Sequence, residues 1–433
     1  SKVMILTGGP GTGKTTVVKG IVKTYAKIKE LSLNRHDYDN EADYPFILTA
    51  PTGRAAKRLE ESTGIKAMTI HRLLGWDGNM YFEKNEYEPL TGKLLIIDEF
   101  SMVDTWLAHH LFKAIPKDMQ VLIVGDEDQL PSVGPGQVLS DLLNSKLIPT
   151  VQLNEVFRQK EGSKIIDLAH DIKHDRLQKD AITKATDFSF IPCEANQVIS
   201  VIETIFERAK AKDMSLHDFQ VLAPMYKTQA GINNINYHLQ QLINPKKRGK
   251  RERTINDVTY RVGDRALQLV NQPEDGVYNG DIGEIVHILS AKESDDDQEQ
   301  IIVRYDEKEV VYYRNDYLNF TLAYCISIHK AQGSEFPNVI LPVVNQYRRM
   351  LRKNLLYTAI TRSKQSLIIC GEIDAFMKGI ETVDTNQRYT TLLQLLQRME
   401  SKNDNKPELI EEVDQFMNED EKVNSHLTPY DFL

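Results

Sequence analysis

Cysteine is scarce in this chain: Cys193, Cys325 and Cys370 are its three, far apart and with no C-x-x-C among them. That excludes a disulfide scaffold and a thiolate zinc site, and it points to a reducing compartment. Long apolar runs are missing too; none approaches the roughly 20 residues a membrane-spanning helix needs. No leader with a basic start, an apolar stretch and a small-residue cleavage site opens the chain. The expectation is a cytoplasmic protein. Positive charge is in deficit: 53 Lys and Arg against 62 Asp and Glu leave a net −9. This excludes a uniformly basic nucleic-acid binder, but the charge is unevenly spread. Residues 401–433 hold nine acids and three bases, an acidic tail of −6, whereas Lys246–Arg253 holds six bases and one acid. A phosphate-binding surface needs local charge, not a basic whole. At 433 residues, 41% of them hydrophobic and 27% charged, the chain has a globular composition and too much length for one ordinary core.

What is present is concentrated first at Val3–Thr16. Val3 to Leu6 reads as a buried strand. Gly8-Gly9-Pro10-Gly11-Thr12-Gly13-Lys14-Thr15 fits G-x-x-x-x-G-K-[ST], and an amphipathic helix follows through Val17, Val18, Ile21, Val22, Tyr25 and Ile28. Strand, glycine-rich loop and helix N-terminus make a phosphate cradle. Gly9, Gly11, Thr12, Gly13, Lys14, Thr15 and Thr16 are the expected nucleotide contacts, with Lys14 reaching the β- and γ-phosphates and Thr15 holding Mg²⁺. The first strand begins almost at the N-terminus, which reads as a fragment missing an upstream region.

A polar loop, 33–44, leads to a second strand, Phe46–Ala50, then a turn and helix from Pro51. Residues 77–93 carry Asp77-Gly78-Asn79, several aromatics and Thr91-Gly92; they read as an inserted β-hairpin. Leu94–Ile97 is a strand ending in Asp98-Glu99. After a phosphate loop, that pair suits Mg²⁺ binding through water by Asp98 and activation of the attacking water by Glu99. A fourth strand, Gln120–Val124, ends near Gln129, either a γ-phosphate sensor or a simple loop cap. Strands that are continuous apolar runs alternating with helices imply a parallel sheet covered on both faces.

The alternation resumes with strands at 188–191, 219–223, 339–344 and 367–370, but no second phosphate loop appears. Residues 255–320 differ: short β-rich runs with turn signals suggest a small antiparallel barrel, with Ser294–Asp297 as a solvated tip. Arg158 and Arg362 each stand amid apolar residues flanking this second domain. They suit a bridge to a γ-phosphate, where such arginines contribute about 10³–10⁵ in rate; taken singly, each also reads as a surface ion-pair arginine. The 246–253 run reads as a DNA-phosphate contact or as a solvated loop.

The ordered motifs resemble those of superfamily-one helicases of the 5′-to-3′ branch, and most nearly the RecD-like helicases. They are the phosphate loop, A-P-T-G-R-A-A-K-R-L at 50–59, T-I-H-R-L-L-G at 69–75, I-D-E-F-S-M at 97–102, G-D-E-D-Q-L-P-S-V at 125–133, V-F-R-Q at 156–159, S-I-H-K-A-Q-G-S-E-F at 327–336 and Y-T-A-I-T-R at 357–362. The resemblance implies an α/β fold of two RecA-like P-loop NTPase domains with parallel sheets, plus a small SH3-like barrel insertion and a hairpin pin. The boundaries expected are 1–152 for the first motor domain, 153–254 with 321–400 for the second, 255–320 for the barrel and 401–433 for the tail. It implies that Lys14, Thr15, Asp98, Glu99, Gln129, Arg158, Gly333, Glu335 and Arg362 serve ATP, and that Thr52, His71, Ser327 and His329 contact single-stranded DNA. It further implies a monomeric motor on single-stranded and tailed duplex DNA, active in repair; an ATP-driven clamp is the rival reading, and an RNA helicase of the same superfamily shares these motifs.

Overall fold

The structure is a computed structural model that describes residues 1–9, 11–40, 43–78, 81–153, 162–179, 182–272, 274–382 and 388–402. In the first lobe, β1 (Val3–Gly8), α1 (Lys14–Ile28), β2 (Phe46–Ala50), α2 (Gly53–Thr63), β3 (Ala67–Thr69), α3 (Ile70–Leu73), β4 (Leu94–Ile97), α4 (Thr105–Ala114), β5 (Gln120–Gly125), α5 (Val138–Ser145) and β6 (Thr150–Leu153) follow in order. The strands form one sheet, β3-β2-β4-β5-β1-β6, parallel at every pairing. Alternate residues of its central strands serve two cores. Ile5, Leu95, Ile97, Val121 and Ile123 face one; Leu6, Leu48, Leu94, Ile96, Leu122 and Val124 face the other. Burial on both faces is why these strands are apolar throughout.

The second lobe contains α6 (Lys164–Lys173), β7 (Phe188–Pro192), α7 (Val198–Ala211), β8 (Phe219–Ala223) and α8 (Ile232–Ile243). Next come β9 (Glu252–Ile255), β10 (Val258–Arg261), β11 (Arg265–Gln268), β12 (Ile282–Leu289), β13 (Gln300–Tyr305), β14 (Lys308–Tyr312) and β15 (Phe320–Leu322). The lobe then resumes with β16 (Cys325–Ser327), β17 (Phe336–Val343), α9 (Lys353–Ile360), β18 (Ser363–Gly371) and α10 (Ile373–Glu381), and α11 (Leu392–Lys402) ends the described chain. Its sheet runs β16-β8-β17-β18-β7, parallel throughout. β9 and β10 pair alone, and β11 to β15 form an antiparallel sheet ordered β14-β13-β12-β11-β15. One apolar core runs unbroken from the second lobe into this insertion, and Leu130 of the first lobe joins it.

Two expectations need correction. Residues 77–93 do not form a hairpin ladder among the described residues; a single bridge joins Trp76 and Phe82. Glu83, Lys84, Glu86 and Glu88 break any apolar alternation. The stretch is instead pinned by Phe82, 4% exposed, whose ring sits 5.0 Å from Trp106 and 4.6 Å from His110 on α4. Residues 388–402, assigned by sequence to the second motor domain up to 400, return to the first lobe: Leu392 and Leu396 pack on its core beside α5. Amphipathic spacing creates a helix face but does not name the surface it covers. Among the described residues no helix is long and apolar enough to cross a membrane.

Gly371, at φ +142°, ends β18 where a β-carbon would strike the Val343 carbonyl. Backbone strain of this kind costs of order 1–3 kcal/mol before the clash is added. Gly371→Ala is expected to lower the unfolding free energy measured in urea by at least that amount, and an unchanged midpoint would contradict the reading.

Candidate active site

The strand–loop–helix at the N-terminus is assembled by backbone conformation. Gly11 and Gly13 sit at φ +76° and +79°, a region that side chains disfavour. Thr12 Oγ1 donates to Gly9 O at 2.8 Å, and Lys14 Nζ donates to Gly8 O at 2.5 Å and Gly9 O at 3.0 Å. The lysine therefore lies over its own loop. Thr15 is half-buried and Thr16 exposed in the first turn of α1, which carries no acid.

Buried β4 delivers Asp98 to the same sheet edge, and Asp98 N donates to Thr49 O at 2.8 Å. Burial pushes the Asp98 carboxyl up to about 6, and the charge of neighbouring Glu99 adds to the shift; the Glu99 amide, Lys14 and Arg58 oppose it. Glu99 holds φ +52°, an uncommon conformation for a residue with a side chain, and its N–H donates to Asp98 Oδ1 at 2.9 Å. Asp98 with Glu99 beside it, and Thr15 in the first turn of α1, are hard-oxygen groups of the kind a divalent cation takes.

β5 leads to Asp126, fully buried. Gln129 Nε2 donates to Asp126 Oδ2 at 3.1 Å, and the Tyr357 hydroxyl, from the second lobe, donates to the same oxygen at 3.2 Å. Gln129 is 6% exposed, so its amide is tied within its own loop at the sheet edge. The next peptide is clasped by the second lobe at both ends: Leu130 N donates to Thr358 Oγ1 at 2.8 Å, and Leu130 O accepts from Gln332 Nε2 at 3.1 Å.

α9 supplies the opposing surface. Arg362 is 2% exposed. It donates from Nε to Thr358 O, from Nη1 to Ser334 O and from Nη2 to Thr361 Oγ1, at 3.1, 3.0 and 3.2 Å. Burial lowers its pKa, opposed by the charges of Glu99, Glu335 and Asp126; the guanidinium thus lies within electrostatic reach of first-lobe acids. Sequence reasoning overlooked Tyr357, although it opens the motif that contains Arg362. A β-carbon at Gly9 would lie 3.0 Å from its hydroxyl, so Tyr357 abuts both the phosphate loop and Asp126. Arg158 falls outside the described residues.

Gly333 and Glu335 are brought to the lobe interface and meet α2. Arg58 Nη1 donates to Gly333 O at 3.3 Å, and Arg58 Nη2 pairs with Glu335 Oε2 at 3.0 Å. Lys364 lies 3.4 Å from the same carboxylate oxygen. Arg54 Nη1 donates to Ser334 Oγ at 2.8 Å and its guanidinium lies 5.7 Å from the Phe336 ring centre. These two arginines were in a quoted motif but had no assigned role; their spacing of four puts both on one helix face.

Of the four residues expected at DNA, Thr52 lies at the same seam, beside Gly333. Thr52 caps α2, accepting from Ala55 N at 3.3 Å. A β-carbon at Gly333 would lie 3.3 Å from Thr52 Oγ1. Ser327, ending β16, accepts from Lys330 N at 3.2 Å. His71 stacks 4.9 Å from Trp76; burial lowers the pKa of both His71 and His329. The insertion reaches the seam as well: Tyr278 covers Gly53 so closely that a β-carbon there would enter its ring, and its hydroxyl accepts from Arg72 Nη1 at 3.3 Å. The 246–253 run ends in β9, and three of its cations are in ion pairs. Lys246 pairs with Glu252, Arg251 with Glu293 and Arg253 with Glu299.

Residues 1–196 match a family described as an AAA domain, 235–305 the ATP-dependent RecD-like DNA helicase SH3 domain, and 322–370 the UvrD-like helicase C-terminal domain. The chain belongs to the RecD-like helicases. It is 33% identical to an ATP-dependent RecD2 DNA helicase of Deinococcus radiodurans over 87% of this chain and 48% of that one. It is 27% identical to the RecBCD enzyme subunit RecD of Mycolicibacterium smegmatis over 85% of this chain and 68% of that one. This RecD-like chain thus spans about half the length of the Deinococcus relative. A crystal structure of Bacteroides Pif1 helicase with ADP-AlF3 and ssDNA shares the fold, with a TM-score of 0.51, 20% identity, and coverage of 93% of this chain and 94% of that one.

The Arg58–Glu335 pair joins a partly exposed guanidinium to a side chain 7% exposed. Arg58→Ala is expected to cost about 1–2 kcal/mol, less than a fully buried pair because solvent screens Arg58. Arg58→Ala/Glu335→Gln should recover part of that loss in urea unfolding. Strictly additive effects would mean the two do not interact.

Proposed function

We propose that this chain is the motor of an ATP-dependent DNA helicase that travels 5′ to 3′ on single-stranded DNA in repair or recombination, as a monomer in the cytoplasm. The observation that carries the proposal is the shared pocket edge. Tyr357 of the second lobe rests on Gly9 and Asp126 of the first, and the charge of Glu99 acts on the buried Arg362 guanidinium.

Lys14 is placed to exchange its two loop carbonyls for phosphate oxygens. Thr15 and Asp98 would hold Mg²⁺, which supplies charge neutralisation between the β- and γ-phosphates. Glu99, held at φ +52°, orients the attacking water and accepts its proton. Arg362, and Arg158 by its motif, stabilise charge on the transferring phosphoryl group from the facing lobe. Gln129 couples the γ-phosphate to Leu130, and so to Thr358 and Gln332. Hydrolysis then changes how tightly the lobes close. Thr52 and His71 grip DNA from one lobe, Ser327 and His329 from the other, so each cycle shifts one grip relative to the other. Tailed duplexes are the substrate this predicts.

Lys14→Ala should abolish ATP turnover, and Glu99→Gln should retain ATP while hardly hydrolysing it. Arg362→Ala should lower kcat by about 10³ or more with little change in ATP affinity; equal losses in both would refute its bridging role. The deciding assay uses duplexes with 5′ or 3′ tails. Strand separation only from 5′ tails is expected. ATP consumption with 5′-tailed duplexes left paired would identify a clamp, and preferential stimulation by single-stranded RNA would identify an RNA helicase.

A further inference from the structure

Beyond the pocket, the segment that returns from the second lobe grips the first at one particular loop. Arg388 Nη1 donates to Gly134 O and Gly136 O, each at 2.6 Å, and to Ser132 Oγ at 3.1 Å; Nη2 donates to Ser132 O at 2.6 Å. One guanidinium therefore gathers three carbonyls of a five-residue stretch, using the fork geometry that lysine lacks. The other side of that stretch is pressed on α4. β-carbons at Gly134 and Gly136 would strike Asp104 and Thr105, and Thr105 N donates to Pro135 O at 3.0 Å. Just past Arg388, Thr390 Oγ1 donates to Asp141 Oδ2 on α5, and Leu392 and Leu396 bury against the same core.

The gripped stretch starts three residues after Gln129. Between them lies Leu130, whose peptide the second lobe holds from both sides. Any relative movement of the lobes pulls on Leu130. Ser132-Val133-Gly134-Pro135-Gly136, with two glycines, is a compliant run; left free, it would absorb the pull and let Gln129 drift. We infer that Arg388 is a positioning residue for ATP hydrolysis: it locks the 132–136 loop to the first lobe so that Gln129 keeps its place while the second lobe moves. The inference rests on the proposed role of Gln129 at the γ-phosphate.

The test is a double-mutant cycle in the full chain, with oligo(dT) as activator. It uses Arg388→Ala, Gln129→Ala, the double variant and Arg388→Lys, with kcat, KM for ATP and melting midpoint measured for each. Arg388→Ala should lower DNA-stimulated kcat about tenfold while KM for ATP stays within about twofold. The double variant should be no slower than Gln129→Ala alone, and Arg388→Lys should recover part of the rate. Multiplying effects, a raised KM with unchanged kcat, or a normal Arg388→Ala beside a slow Gln129→Ala would each overturn the Arg388 assignment and leave the pocket reading standing. A normal kcat in Gln129→Ala would instead overturn the role of Gln129, and the inference with it. If Arg388→Ala does not fold, Arg388→Lys carries the cycle, and an unaltered kcat in it overturns the assignment.

Discussion

A carboxylate shut away from water needs donors, and Asp126 takes one of its donors from across the cleft. It is fully buried at the end of β5 and is held by Gln129 Nε2, the Asp128 backbone N–H and the Tyr357 hydroxyl. Leaving such a group short of a partner costs on the order of 1–3 kcal/mol. Separating the lobes therefore carries a penalty unless water or a rearranged Gln129 replaces the tyrosine. The pocket and the hinge are consequently one problem. The same acid that anchors Gln129 also binds the facing lobe.

A second set of contacts spreads this coupling along α2. Arg54 and Arg58 reach Ser334, Gly333 and Glu335, and Lys57 pairs with Asp306 of the insertion. These ion pairs differ in burial. Lys57 and Asp306 are both largely exposed, so screening leaves them little energetic weight. Glu335 is enclosed and holds its arginine more firmly. The helix thus contributes a firm contact to the second lobe and a weak one to the insertion. The insertion meets α2 chiefly by the shape fit of Tyr278 over Gly53.

Much of this was written locally in the sequence, and the part that was not is long-range. The phosphate loop and the Asp98-Glu99 pair are contiguous strings that end apolar strands, so their chemistry follows from their neighbours along the chain. The parallel sheets followed from uninterrupted apolar runs, but strand order did not. Arg54, Arg58 and Tyr357 depend on partners hundreds of residues away, and nothing in their spacing names those partners. The destination of α11 was hidden for the same reason: Leu392 and Leu396 define a face, while the surface that receives it is made by α5. The 77–93 stretch misled because turn residues and aromatics imitate a hairpin. Here the aromatics serve to anchor a loop to α4.

The disposition of charge limits how a nucleic-acid strand can be held along the seam. His71 and His329 have their pKa values lowered by burial, so near neutrality they offer hydrogen bonds without charge. In the run at 246–253, Lys246, Arg251 and Arg253 are engaged with Glu252, Glu293 and Glu299. On α2 the cations are already committed to the facing lobe and the insertion. A phosphate meeting Lys57, Arg58, Lys246, Arg251 or Arg253 would displace a protein carboxylate at each. Such an exchange yields less net electrostatic gain than a free basic groove. Each cation that neutralises a phosphate steepens the fall of affinity with salt, and a cation that must first leave a carboxylate gains less by doing so. In the proposed motor, cap hydroxyls, helix N-termini and base stacking would share the grip. Those contacts form and break with small displacements, which suits a surface that has to let go once in every cycle.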